Sequence, residues 1–75
     1  MPDMRPVYSS VVDEIGYEDG ALFVRWSRGG KISVYEGVPA DLAAQVRNAP
    51  SIGKALREQI QDAYKHRYDE QEPSQ

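Results

Sequence analysis

Lys54 and Arg57 sit one helical turn apart, just after Ser51-Ile52-Gly53. That grouping suits an anion. Serine is a common helix cap, and a helix start presents unpaired amides at the positive end of the helix dipole. Gly53 would let a ligand approach the backbone. A phosphate of RNA or of a nucleotide is the ligand such a site would take. The commoner use of a serine there is as a cap alone, with Gly53 only making room for a strand beneath. The stretch is not a P-loop, because the glycine spacing ahead of Lys54 is absent.

A second group comes from alternation. In "ALFVRWSR", Leu22, Val24 and Trp26 share one side, and Phe23, Arg25 and Ser27 the other. Such period-two alternation marks a half-buried strand. If Ile32 and Val34 join the buried side of the next strand, Ser33 and Tyr35 project with Phe23 and Arg25, and Tyr17 lies nearby. Aromatics interleaved with a guanidinium are what stacking on unpaired bases needs. Arg28 and Lys31 at the hairpin would add backbone contacts. Tyr, Phe and Arg are also enriched at protein interface cores, and exposed aromatics favour strand formation in their own right. A one-residue shift of register would reverse the whole assignment.

Lys65, His66 and Arg67 lie within "YKHRY". Cations after a helix favour its C-terminal dipole end; the functional alternative is a short basic clamp on phosphate. His66 is the one histidine and there is no cysteine, so a metal site would rest on carboxylates alone. A serine nucleophile needs a base within reach, and nothing in the sequence brings His66 to a serine. The acid pairs Asp13-Glu14 and Glu18-Asp19 fall near strand ends, where such pairs are usually solvated. The expectation is no catalysis, no metal and no cofactor.

The elements that must position these residues follow from the rest of the chain. Its 75 residues make one domain with a modest core. Strands are expected near 7–15, 21–28 and 31–36, with Gly29-Gly30 in a tight hairpin. Gly37 lets the chain leave the sheet, and Pro39 suits the first turn of a helix, with Asp41 complementing the dipole. "PADLAAQVRN" reads as a short helix with Leu42 and Val46 on one face. A second helix follows Ser51, its stripe formed by Ile52, Leu56, Ile60 and Ala63 or Tyr64. A sheet with one apolar face needs a covering layer. The expected fold is therefore α+β: a three-stranded antiparallel meander followed by two helices packed on one face, with Val38 pinned under the corner. Residues 1–6 read as a flexible arm, 7–68 as the domain, and 69–75 as a disordered acidic tail.

The absence of cysteine, of any run near the roughly 20 apolar residues of a membrane span and of a signal-peptide h-region suggests a soluble cytoplasmic protein. A net charge of −3 argues against broad non-specific nucleic-acid binding, although the acids are unevenly placed. Oligomeric state stays open, since exposed strand edges permit a dimer.

Three pieces, in order, resemble the KTSC domain: Ile15-Gly16-Tyr17, the element Tyr35 to Pro39, and Ala49-x-Ser51-x-Gly53-Lys54 with Ile60 and Tyr64 downstream. The resemblance covers about Val7 to Tyr64. That family is named for its occurrence at the C-terminus of some lysyl-tRNA synthetases and also occurs as small stand-alone proteins of bacteria and phages. The family's Tyr-x-Tyr is here Ser33-x-Tyr35, which removes half of any tyrosine platform. The synthetase context implies RNA as a ligand. The leading expectation is a small non-catalytic module contacting RNA or another phosphate-bearing ligand through Arg25, Tyr35, Ser51, Lys54 and Arg57, with Tyr17 supporting. The alternative is a protein-interaction module docking on a larger host protein through Tyr35 and Phe23.

Overall fold

Asp19 and Gly20 both adopt positive φ, 52° and 78°, the conformation of the two-residue turns that match strand twist. They join β2 (Val12–Glu18) to β3 (Ala21–Trp26), with Glu18 opposite Ala21. The residues Ser27 to Gly30 then connect β3 to β4 (Ile32–Glu36), and Trp26 N–H donates to the Lys31 carbonyl at 2.9 Å. The computed structural model describes residues 2–68; the acidic tail expected over 69–75 lies outside the described residues.

The sheet has five strands rather than three, all antiparallel, in sequence order: β1 (Arg5–Pro6), β2, β3, β4 and β5 (His66–Tyr68). β1 comes from the N-terminal arm and pairs with Glu14 and Ile15. Pro2 and Met4 lie over Gly16, where a Cβ would stand 2.7 Å from Met4 Sδ. β5 comes from the stretch read as a basic helix end and pairs with β4. The first long strand spans Val12–Glu18 rather than 7–15, so Gly16 and Tyr17 lie inside it.

Between β4 and β5 the chain crosses one face of the sheet as α1 (Ala40–Arg47) and α2 (Ile52–Ala55), the latter continuing into a π turn over Leu56–Ile60. Gln61 N–H reaches the Leu56 carbonyl at 2.8 Å, the five-residue step of that turn. Pro39 is the N-cap of α1, extended at ψ 148°. Val12, Ile15, Leu22, Val24, Val38, Val46, Leu56 and Ile60 form the core between sheet and helices. No helix among the described residues is long and apolar enough to cross a membrane.

The corner is built as its residues require. Gly37 sits at φ +74° with open space where a Cβ would lie. Val38 is buried, donates its N–H to the Gly20 carbonyl, and accepts from the Tyr17 hydroxyl. A left-handed backbone costs a side-chain-bearing residue roughly 1–2 kcal/mol. Gly37→Ala should therefore lower stability by about 1–2 kcal/mol in urea unfolding, and Gly37→Asn by less, since asparagine tolerates that region.

Register corrects the expected faces. Leu22 stands opposite Tyr35, Val24 opposite Ser33, Phe23 opposite Val34 and Arg25 opposite Ile32. Directly opposed residues share a face. Ser33 and Tyr35 therefore lie on the helix side with Leu22 and Val24. Ile32 and Val34 instead join Phe23 and Ala21 in a small apolar cluster on the other side.

Candidate functional site

Of the residues singled out by sequence, Tyr17, Arg25 and Tyr35 occupy structural positions. The Tyr17 hydroxyl holds the Val38 carbonyl at 2.5 Å. Arg25 lies on the face away from the helices, its Nε donating to Glu14 Oε1 at 2.9 Å and an Nη to the Gly30 carbonyl at 3.1 Å. Tyr35 is 3% exposed and belongs to the core. The aromatic platform expected from Phe23, Arg25, Ser33 and Tyr35 is not assembled, because the last two are on the opposite face. Phe23 and Tyr35 likewise cannot form one docking patch.

Ser51, Lys54 and Arg57 do come together. The Ser51 hydroxyl accepts from Lys54 N–H at 3.4 Å, the capping role, and Gly53 leaves room for Val11, whose Cγ2 would stand 2.8 Å from an added Cβ. These residues line a concavity of about 370 Å³ together with the loop at Ser9 to Val11. It adjoins a second, of about 610 Å³, that shares Gly53 and Arg57 and adds Trp26, Arg28 and Gln61. A third, of about 400 Å³, shares Trp26, Arg28 and Gln61 and adds Lys31, Ser33, Tyr35, His66 and Tyr68. The second shares lining residues with each of the others, and the three adjoining concavities together are called the groove, which ends at β4 and β5.

Its chemistry is one-sided. Lys54, Arg57, Arg28 and Lys31 line it, all four are exposed, and none makes an ion pair with a described residue. No described Asp or Glu lines any of the three concavities. Among the described residues, the hydrogen bond from a lining residue to an acid is that of the Ser27 hydroxyl to Asp13 at 2.8 Å. A larger concavity of about 800 Å³ lies around Tyr17 and Arg47, but it includes Asp3, which pairs with its Arg5 at 3.2 Å.

The end of the groove at β4–β5 holds what sequence reasoning missed. Cross-strand pairing sets Tyr35 opposite His66 and Ser33 opposite Tyr68. The Tyr35 and His66 rings stack at 5.2 Å and 27°, and Tyr68 meets His66 edge-on at 4.9 Å and 79°. Trp26 Nε1–H donates to Ser33 Oγ at 2.7 Å, and His66 Nε2 lies 3.2 Å from the same oxygen. The sole histidine thus does reach a serine, contrary to the expectation from sequence. Lys31 Nζ stands 5.2 Å from the centre of the Tyr68 ring, within cation–π range. The signal available in sequence was the two-residue spacing of His66 and Tyr68, which is strand spacing.

Burial pushes the Tyr35 hydroxyl above the usual tyrosine range; hydrogen bonding from Gln61 and Ser33 works against this, and the charge of Tyr68 adds to it. A raised value in the folded state means folding holds that proton more tightly. The resulting stability is fully present below the unfolded value of about 10 and is lost as pH rises through the folded one. The melting temperature should therefore fall more steeply above about pH 10 in the wild type than in Tyr35→Phe, which has no proton to lose there.

Comparison with known proteins agrees with this architecture. A crystal structure of a KTSC domain protein from Yersinia pestis superposes with a TM-score of 0.84 at 27% identity, over 92% of this chain and 99% of that one. A search of curated proteins finds none that matches. The family model described as KTSC domain matches residues 8–64. With that match over most of its length and the same fold in a solved relative, the chain belongs to the KTSC domain family.

Proposed function

We propose that this protein is a small non-catalytic binding module whose ligand is a single-stranded RNA segment or another extended phosphate-bearing chain, held in the groove from Lys54 to Tyr68. The observation that carries this reading is the sorting of charge. In a chain of net charge −3, four cations without ion-pair partners among the described residues line three adjoining concavities that share lining residues, and no described acid lines them. Trp26 and Tyr68 add aromatic surface along the same path. Single-strand binders combine these two features, a cationic track for the backbone and rings for the bases. The synthetase association of the family points the same way.

A binding role also fits the Ser33–His66 contact. Ser33 is only 2% exposed and its oxygen already accepts from Trp26. No described carboxylate lines that concavity, so the described residues supply no acidic group there to orient the imidazole as a base.

The test is an amide chemical-shift titration with a mixed-sequence single-stranded RNA at low and then physiological salt. Shifts should cluster at Arg28, Lys31, Lys54 and Arg57 and shrink as salt rises. Absence of shifts at low salt, where electrostatic binding is strongest, would remove the reading. A salt-insensitive response to a protein but not to polyanions would favour docking instead.

A further inference from the structure

We propose that the β4–β5 end of the groove is a pocket for one unstacked nucleobase, an inference that rests on the nucleic-acid reading above and specifies it. The concavity there measures about 400 Å³, near the lower end of the roughly 300–1,000 Å³ of small-molecule sites, and is the place where aromatic and polar groups converge. Tyr68 is 49% exposed. Its ring stands edge-on to His66 with Lys31 near the ring centre, so it offers π surface beside a cation. Base–aromatic stacking tolerates any base.

The floor is polar and ordered. Trp26 N–H can only donate, so Ser33 Oγ is its acceptor, and the Ser33 proton is left to point toward His66 Nε2 or the Tyr35 oxygen. Gln61 lines the same space and carries both a donor and an acceptor on one amide, the complement of a base edge. Arg28 lines both this concavity and the next, where it can hold the phosphate that links a bound nucleotide to its neighbour. An exposed aromatic ring, a side-chain amide and a cation lining one concavity match a nucleotide better than they match a bare phosphate or an aliphatic ligand.

The chain has one tryptophan, and its indole N–H donates to Ser33 in this pocket; because the Trp26 ring also lines the adjoining concavity, the Tyr68 variants below decide which of the two the resonance reports. The experiment titrates the full chain with each of the four ribonucleoside monophosphates, and separately with ribose 5-phosphate, which carries the same phosphate without a base. A saturable shift of the indole resonance with at least one nucleotide, at least tenfold weaker with ribose 5-phosphate, is the expected result. Tyr68→Ala should weaken nucleotide binding by roughly tenfold, and Tyr68→Phe should restore it. Tyr68 lies outside the core, so neither variant threatens the fold.

Equal responses to nucleotide and ribose 5-phosphate would make the site a phosphate site only and overturn the base pocket. No response to any nucleotide would overturn it as well. Either outcome leaves the groove to be judged separately, by the salt dependence of oligonucleotide binding.

Discussion

Tyr35→Ala should cost roughly 3 kcal/mol or more and sharply lower the urea concentration at which the domain unfolds. The side chain is 3% exposed, sits in the main core with Leu22 and Val38, and stacks on His66. Removing a buried aromatic loses its transfer energy and leaves a cavity, together about 3–5 kcal/mol. A chain of 75 residues has a total stability of only about 4–11 kcal/mol at the usual per-residue values, so this one change takes a large share. Urea unfolding followed by circular dichroism reads it directly. Tyr35→Phe keeps the ring and should lose about 1 kcal/mol, the value of one hydroxyl hydrogen bond. A cost below about 1 kcal/mol for Tyr35→Ala would mean that the ring is not a core element and that the register of β3 and β4 is wrong. Loss of ligand binding in Tyr35→Ala therefore says nothing about contact, and Tyr68 is the tyrosine whose removal tests the site.

That reversal shows which parts of the structure were legible in the sequence. The alternation in β3, the glycine at the corner, the proline opening α1 and the Ile52, Leu56, Ile60 stripe each have a local cause, and each appears as expected. The face of β4 has no local cause. Ile32, Ser33, Val34 and Tyr35 are all buried, so burial does not choose between the two sides. The choice comes from the connection Ser27 to Gly30, which sets Trp26 against Lys31, and one residue more or less would reverse it. β1 and β5 have two and three residues, too few to show a period, and β1 contains a proline that suits only an edge. The same limit hid the site. Ser51, Lys54 and Arg57 are close in sequence and could be grouped from it. Trp26, Arg28 and Gln61 meet only through packing of segments distant in sequence, and His66 joins them only because β5 returns beside β4, a long-range pairing with no short-range signature.

Replacing Arg28, Lys31, Lys54 and Arg57 together by Gln should abolish the salt dependence of single-stranded RNA binding and leave the fold intact. All four are exposed and make no ion pair with a described residue, so unfolding should be little changed. For single strands, log K falls with log salt by about 0.7 for each phosphate neutralised. With each of the four cations contacting one phosphate, the wild-type slope is about −2.8, and affinity falls roughly fiftyfold between about 50 and 200 mM salt. The fourfold variant should have a slope near zero and bind weakly at every salt concentration. Net charge alone would also weaken binding, since the formal charge moves from −3 to −7 when four positive groups are removed. Arg5→Gln with Arg67→Gln separates the two effects. Both are exposed cations already paired, with Asp3 and Glu36, and they line none of the three concavities of the groove. That pair should keep the slope, whereas a slope that tracks the number of cations removed, wherever they lie, would mean that the long-range field attracts RNA and the groove does not hold it.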